Sequence, residues 1–160
     1  MKKWFFLFLA PAFIFSSCKK DKGCTSTAPT ASASAAETAY LQNYLTVNGI
    51  TAASTHGMFY NFTTNGSGTS PDLCSSITVT YTGTLITGTT DGAQFDASAT
   101  PVAFTLNQLI AGWQLVLPLV KSGGVFTLYI PPSLGYGASG SGSVPANSYL
   151  KFVVTLVSVN

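Results

Sequence analysis

QLIAGWQLVLPLV, residues 108–120, is the stretch whose reading decides the fold. It carries the one helical signal beyond residue 50, over about Asn107–Leu117. Pro118 should end that helix, because the residue before a proline avoids the helical region. Everything around it alternates with period two. Met58, Tyr60 and Phe62 alternate with Phe59, Asn61 and Thr63, and Ile77, Val79 and Tyr81 alternate with Thr78, Thr80 and Thr82. Such runs, rich in β-branched residues, read as half-buried strands. Leu85–Thr87, Phe104–Leu106, Val125–Ile130 and Leu150–Val159 read the same way. In the last, Leu150, Phe152, Val154, Leu156 and Ser158 share one face. The expected class is therefore α+β, an antiparallel sheet wrapped around one short helix. About a hundred residues, 57–160, are enough for a single core. Within the short helix Trp113 is either an ordinary core residue or the floor of a site.

Upstream, SAAETAYLQNYLTVNG (34–49) predicts a second helix over about 35–47. Ser34 and Glu37 have capping-box spacing. Tyr40, Leu41, Tyr44 and Leu45 form one apolar stripe, and Gly49 suits the position just past the helix. This segment, 34–56, reads as a small packing element rather than a partner-binding one. Residues 18–33 hold Thr, Ser, Ala and Pro after a Lys-rich start and read as a flexible tether. Asn65-Gly66-Ser67-Gly68 is a turn.

The chain begins MKKWFFLFLAPAFIFSSCKKDK. Two lysines, a short apolar run and small residues make a signal peptide over residues 1–17. The apolar run falls short of the roughly 20 residues of a membrane-spanning helix. Cys18 after Ser16-Ser17 resembles a bacterial lipobox, which implies cleavage before Cys18 and acylation there. Two or three acyl chains would hold the protein on the cell envelope; simple secretion is the alternative. Without residues 1–17 the side chains balance. Lys19, Lys20, Lys22, Lys121 and Lys151 stand against Asp21, Glu37, Asp72, Asp91 and Asp96, and there is no arginine. That leaves no basic footprint for nucleic acid. Cys24 and Cys74 are disulfide candidates in an exported chain, closing a loop of roughly fifty residues; two unpaired thiols are the alternative. His56 has no companion set for zinc.

Six motifs stand in order over the last hundred residues: VTYTGTL (79–85), QFDAS (94–98), PVAFTL (101–106), LIAGW (109–113), GGVFTLYIPPSLGYGASG (123–140) and VPANSYLKFVVTLVSV (144–159). Together they resemble the FKBP-type peptidyl-prolyl cis-trans isomerases. The resemblance implies an enzyme that needs no cofactor, metal or nucleotide. Its partners would be proline-containing unfolded or flexible polypeptides, and macrolide inhibitors would bind in the same pocket. It implies that Trp113 floors a shallow apolar pocket. Tyr81, Phe95, Asp96 and Tyr136 are the expected catalytic companions of Trp113. Leu109, Ile110, Val102, Val144 and Phe152 are the expected substrate-binding residues, with the Ile110 N–H for a substrate carbonyl and Tyr81 as partner of Asp96. Gly112 is expected to let the backbone pass close to the sheet. Taken singly, without the motif series, each aromatic reads rather as plain core packing, and Asp96 as a turn residue capping local N–H groups. The family has an aromatic where this chain has Val102, and a smaller wall there should widen the pocket. A peptide-binding or chaperone module using the same pocket without isomerisation is the alternative function, and a structural surface lipoprotein is a further one.

Overall fold

A computed structural model describes residues 27–160. The signal peptide, the lipidation site at Cys18 and Cys24 lie outside the described residues. In chain order the elements are α1 (Ala35–Val47), β1 (Ala53–Thr55), β2 (Met58–Thr64), β3 (Ser76–Thr87), β4 (Thr90–Thr105), α2 (Ala111–Val116), β5 (Val125–Ile130) and β6 (Tyr149–Val159). The strands form one six-stranded sheet in the order β1-β2-β5-β6-β3-β4, antiparallel at every pairing. The expected α+β architecture is what the chain adopts.

The concave face of the sheet closes over α2. Ile77 and Val79 of β3, Phe126, Leu128 and Ile130 of β5, and Leu150, Phe152, Val154 and Leu156 of β6 bury their side chains there against Trp113, Val116 and Leu117. Period-two alternation supplies this face in each strand. The β6 burial follows the predicted face residue by residue as far as Leu156.

The opposite face is not left to solvent throughout. Phe59, Ile86 and Tyr129 point outward from β2, β3 and β5, where Leu41, Tyr44 and Leu45 of α1 cover them. For this reason Met58 and Phe59 are both buried although they alternate. The predicted apolar face of β2 also fades at its end, where Phe62 is 38% exposed. The helix begins and ends where its sequence directs. Ser34 and Glu37 form the capping box, and Gly49 takes φ +66° beyond the last turn, a conformation that costs glycine little.

Two elements depart from expectation. α2 begins at Ala111 rather than near Asn107, because Leu109 (φ −87°, ψ 169°) and Ile110 (φ −58°, ψ 151°) are extended and separate it from a 3-10 turn at Leu106–Gln108. The chain then passes Pro118 in a second 3-10 turn, Leu117–Leu119. Pro fits there because the first residues of a helical turn need no N–H donor. β4 is far longer than its predicted end at Phe104–Leu106. Its Gly, Asp, Ser and Pro content reads as loop, yet it forms one strand of sixteen residues, ten of them in register opposite β3. β4 is an edge strand, where Pro101 sacrifices no ladder bond to a further neighbour. Register shifts take up the extra residues, as between Val79↔Val102 and Tyr81↔Ser98.

Candidate active site

Gly112 sets the depth of the site. A Cβ there would lie 2.9 Å from both Cδ1 and Cγ2 of Ile130 on β5. Only a glycine lets α2 settle this closely onto the sheet. The next residue, Trp113, is 4% exposed and forms the floor. Its ring meets Phe152 edge-on, with centroids 5.3 Å apart at 89°, and Tyr81 at 5.8 Å and 88°. Edge-to-face packing of this kind is favoured by the ring quadrupoles and fixes the rings' orientation. Phe104 stands beside Tyr81 at 6.2 Å.

Over this floor opens a cavity of about 140 Å³. Trp113, Tyr81, Phe104 and Phe152 give it aromatic walls; Leu109, Ile110, Tyr136 and Asp96 complete the rim. The carboxylate of Asp96 is directed by its pairing opposite Gly83 across the β3–β4 ladder. It accepts a hydrogen bond from the Tyr81 hydroxyl at 2.7 Å, the partner that a carboxylate beside aromatic rings needs. Burial, and then the bond to Asp96, push the Tyr81 hydroxyl up to about 12. Tyr81 is therefore a proton donor to Asp96 throughout the neutral range. Burial and the nearby Asp96 charge also raise Tyr136.

Tyr136 sits on a loop held by its own backbone. The N–H groups of Gly135 and Gly137 both donate to the Pro132 carbonyl, at 3.0 and 2.9 Å, and Gly140 N–H donates to the Tyr136 carbonyl at 3.2 Å. Across the cavity, the extended pair Leu109-Ile110 is fixed by Gln114. Its side-chain amide donates to Leu109 O at 2.7 Å and to Asn107 O at 3.2 Å. Among the described residues nothing accepts from the Ile110 N–H or from the Tyr136 hydroxyl. Both residues line the cavity.

The fold thus gathers Tyr81, Asp96, Leu109, Ile110, Trp113, Tyr136 and Phe152 around one cavity. Phe95, Val102 and Val144 are placed behind it. Phe95 braces Phe152 edge-on at 5.4 Å, and its carbonyl accepts from Ser143 Oγ at 3.0 Å. Val144 is buried in the main core, and Val102 packs against that core from β4. The wall expected of Val102 is built by Phe104, two residues along the same strand face. Sequence reasoning also passed over Gly83, where a Cβ would lie 2.7 Å from Phe95 Cζ and 2.9 Å from Phe152 Cε1. The signal for Phe104 was present in the period-two repeat of PVAF. Gln114 left a fainter one, a lone polar residue in an apolar helix. The cavity lining holds no Ser, Cys or His, and no cluster of three or more His, Cys, Asp or Glu occurs among the described residues. The arrangement is a small apolar chamber with two hydrogen-bond donors and one carboxylate at its rim.

Residues 68–157 match the family model for FKBP-type peptidyl-prolyl cis-trans isomerases. The chain is 38% identical over 123 residues to the FKBP-type isomerase FkpA of Escherichia coli, covering 75% of this chain and 44% of that protein. It is 40% identical over 106 residues to FkpA of Aeromonas hydrophila, covering 64% of this chain and 38% of the relative. For the peptidyl-prolyl cis-trans isomerase Mip of Coxiella burnetii the figures are 40% over 108 residues, 65% and 45%. The chain spans less than half the length of these curated relatives. The crystal structure of Escherichia coli FkpA superposes with a TM-score of 0.66 at 36% identity, over 79% of this chain and 58% of that one. A peptidyl-prolyl isomerase from Pseudomonas syringae also gives 0.66, at 30% identity, over 78% of this chain and 91% of its own. With its motifs, its sheet and its aromatic chamber all in place, the chain belongs to the FKBP-type peptidyl-prolyl cis-trans isomerases.

Proposed function

We propose that this chain speeds cis–trans exchange of X-Pro peptide bonds in exported polypeptides. The supporting observation is the 140 Å³ aromatic chamber floored by Trp113 with donors at its rim. Twisting an X-Pro amide breaks its resonance, against a barrier of about 18–20 kcal/mol, and uncatalysed exchange takes tens to hundreds of seconds. No bond to another atom is made, so no nucleophile is required. The twisted amide has less charge separation than the planar one. An apolar chamber therefore favours the twisted form, and each 1.36 kcal/mol of that preference gives about tenfold in rate.

The roles follow from position. The proline ring rests on Trp113 between Tyr81, Phe104 and Phe152. The Ile110 N–H and the Tyr136 hydroxyl hold flanking carbonyls of the client, so that rotation is confined to the one amide. Asp96 keeps Tyr81 oriented through their 2.7 Å bond. Phe95, Val144 and Val102 support the walls from behind. A macrolide inhibitor would compete for the same chamber. The lipobox at Cys18 would anchor the domain to the envelope membrane, within reach of unfolded chains after export. The full chain should then incorporate labelled palmitate, and Cys18→Ser should abolish the label.

The test is isomerisation of a Leu-Pro peptide by residues 19–160. The parent should accelerate exchange clearly. Asp96→Val and Trp113→Ala should each cut kcat/KM by at least about tenfold. Truncating a buried Trp costs about 3–5 kcal/mol of stability, so Trp113→Leu serves as the better-filled companion. Absence of acceleration by a well-folded parent would sink the enzyme reading and leave peptide holding by the same chamber.

A further inference from the structure

Glu37 reaches from α1 to the loop carrying Tyr136. Its Oε1 accepts from the Ser133 N–H at 2.9 Å, and its Oε2 accepts from Ser133 Oγ at 3.1 Å. The same Oε2 accepts from Ser34 N–H and Ser34 Oγ, at 2.8 and 2.9 Å. One carboxylate thus caps its own helix and clasps a segment 96 residues away.

Ser133 lies in the 3-10 turn Pro132–Leu134. The residue preceding that turn is Pro131, whose side chain cannot cap, and no side-chain cap is present within the segment. The first N–H groups of a helical turn have no partner inside it and need one from elsewhere. Pro132 has no N–H to offer. The Ser133 N–H is therefore the first donor of the turn, and Glu37 satisfies it from another element. Two residues beyond the turn comes Tyr136, whose loop hangs from the Pro132 carbonyl through Gly135 and Gly137. Bonds that involve an ionised acceptor are among the stronger ones. The Glu37 carboxyl stays ionised at neutral pH. Burial works to raise it, but the bonds from Ser34 and Ser133 outweigh that and hold it below its ordinary value of 4.5.

We propose that Glu37 is a positioning residue for the pocket: it caps the turn at Ser133 and thereby holds the Tyr136 hydroxyl in place at the rim. The N-terminal helix is then part of the working site rather than packing alone. This rests on the isomerase reading for its kinetic consequence but not for its structural one.

Glu37→Gln is the discriminating change. It nearly conserves size, but places an NH₂ where one of the two donors of Ser133 must be accepted. In residues 19–160, Glu37→Gln and Tyr136→Phe should each lower kcat/KM, by about threefold to tenfold. The double variant should be no worse than Tyr136→Phe, since Glu37 acts through that hydroxyl. Additive losses would overturn the inference, as would full activity in Glu37→Gln. Binding of a Leu-Pro peptide, read from Trp113 fluorescence, gives the same cycle should the parent bind without isomerising. That outcome would sink the enzyme reading alone. A third readout needs no ligand: amide exchange at Gly135 and Gly137 should quicken by about tenfold in Glu37→Gln, with core amides of β6 unchanged. Unaltered exchange at those two amides would overturn the inference by itself, and uniform quickening everywhere would reduce Glu37 to a stabilising cap.

Discussion

A methyl group on Gly83 would have to displace aromatic rings. It would sit 2.7 Å from Phe95 Cζ and 2.9 Å from Phe152 Cε1, with Phe95 Cε2 also at 2.9 Å. Neither ring can withdraw freely, because Phe152 is wedged against Trp113 and Phe95 against Phe152. Overpacking of this kind typically costs about 1–3 kcal/mol. Gly83→Ala should therefore lower the urea midpoint correspondingly, with an unchanged m-value, and should weaken peptide binding by tilting Phe152 off its wall position. A variant with the parent's midpoint would show the strand yielding instead. At this scale the sequence was informative for residues that stand in motifs: Tyr81, Asp96, Trp113 and Tyr136 all line one cavity. It was uninformative for Gly83, since a missing side chain leaves no pattern. The choice between Val102 and Phe104 depends on how far along β4 the cavity lies, and alternation gives the face but not the distance.

α1 is latched by two acids, Glu37 at Ser133 and Asp91 at Tyr44. Asp91 receives the Tyr44 hydroxyl at 2.5 Å on Oδ1 and the Lys151 ammonium at 2.7 Å on Oδ2. Tyr40 adds a stacked contact with Tyr149 at 3.9 Å and accepts the Gly88 N–H. Burial works to raise Asp91, but the bonds from Lys151 and Tyr44 outweigh it and hold the carboxyl below its ordinary 3.8; Glu37 is lowered likewise. A carboxyl lowered by folding contributes stability above its unfolded value and loses it as pH falls through its folded value. Helix docking should therefore be constant above about pH 5 and weaken below about pH 4. The measurement is amide exchange of α1 between about pH 5 and pH 3, compared with Glu37→Gln/Asp91→Asn. The double variant should start looser and stay level over that range. An equal acid step in the variant would place the sensitivity elsewhere. The helix itself was legible to the residue, because cap, stripe and terminal glycine agree. Its burial partners were not: Phe59 and Tyr129 face outward by alternation, and only a covering element explains apolar residues there. β4 was the least legible element. An edge strand is paired on one side and packed weakly, so Gly, Ser and Pro survive in it and imitate a loop.

The whole molecule is tied together by backbone pairing and apolar burial, with little charge. Among the described residues one ion pair occurs, Lys151 with Asp91, and no helix there is long and apolar enough to cross a membrane. Cys74 is disulfide-bonded. It lies in the connection from β2 to β3, where Asp72 Oδ1 accepts its N–H at 2.9 Å and where Leu73 O and Ser75 O accept from Asn107 and Leu106. Cys74 thus lies beside the 3-10 turn Leu106–Gln108 that leads into Leu109-Ile110. The chain has two other cysteines, Cys18 and Cys24, and the lipid anchor proposed at Cys18 would require that thiol for acylation. We therefore expect Cys24 to be the partner. Non-reducing digestion should release a cross-linked pair containing Cys24 and Cys74. Cys24→Ser should cost about 2–4 kcal/mol of stability, the usual effect of opening a loop of this size, and reductant should bring the parent to the same level. On this proposal palmitate labelling should persist in that variant, because the anchor and the bridge would use different thiols. A cross-link between Cys18 and Cys74 would refute the pairing and the lipid anchor together, since one sulfur cannot serve both.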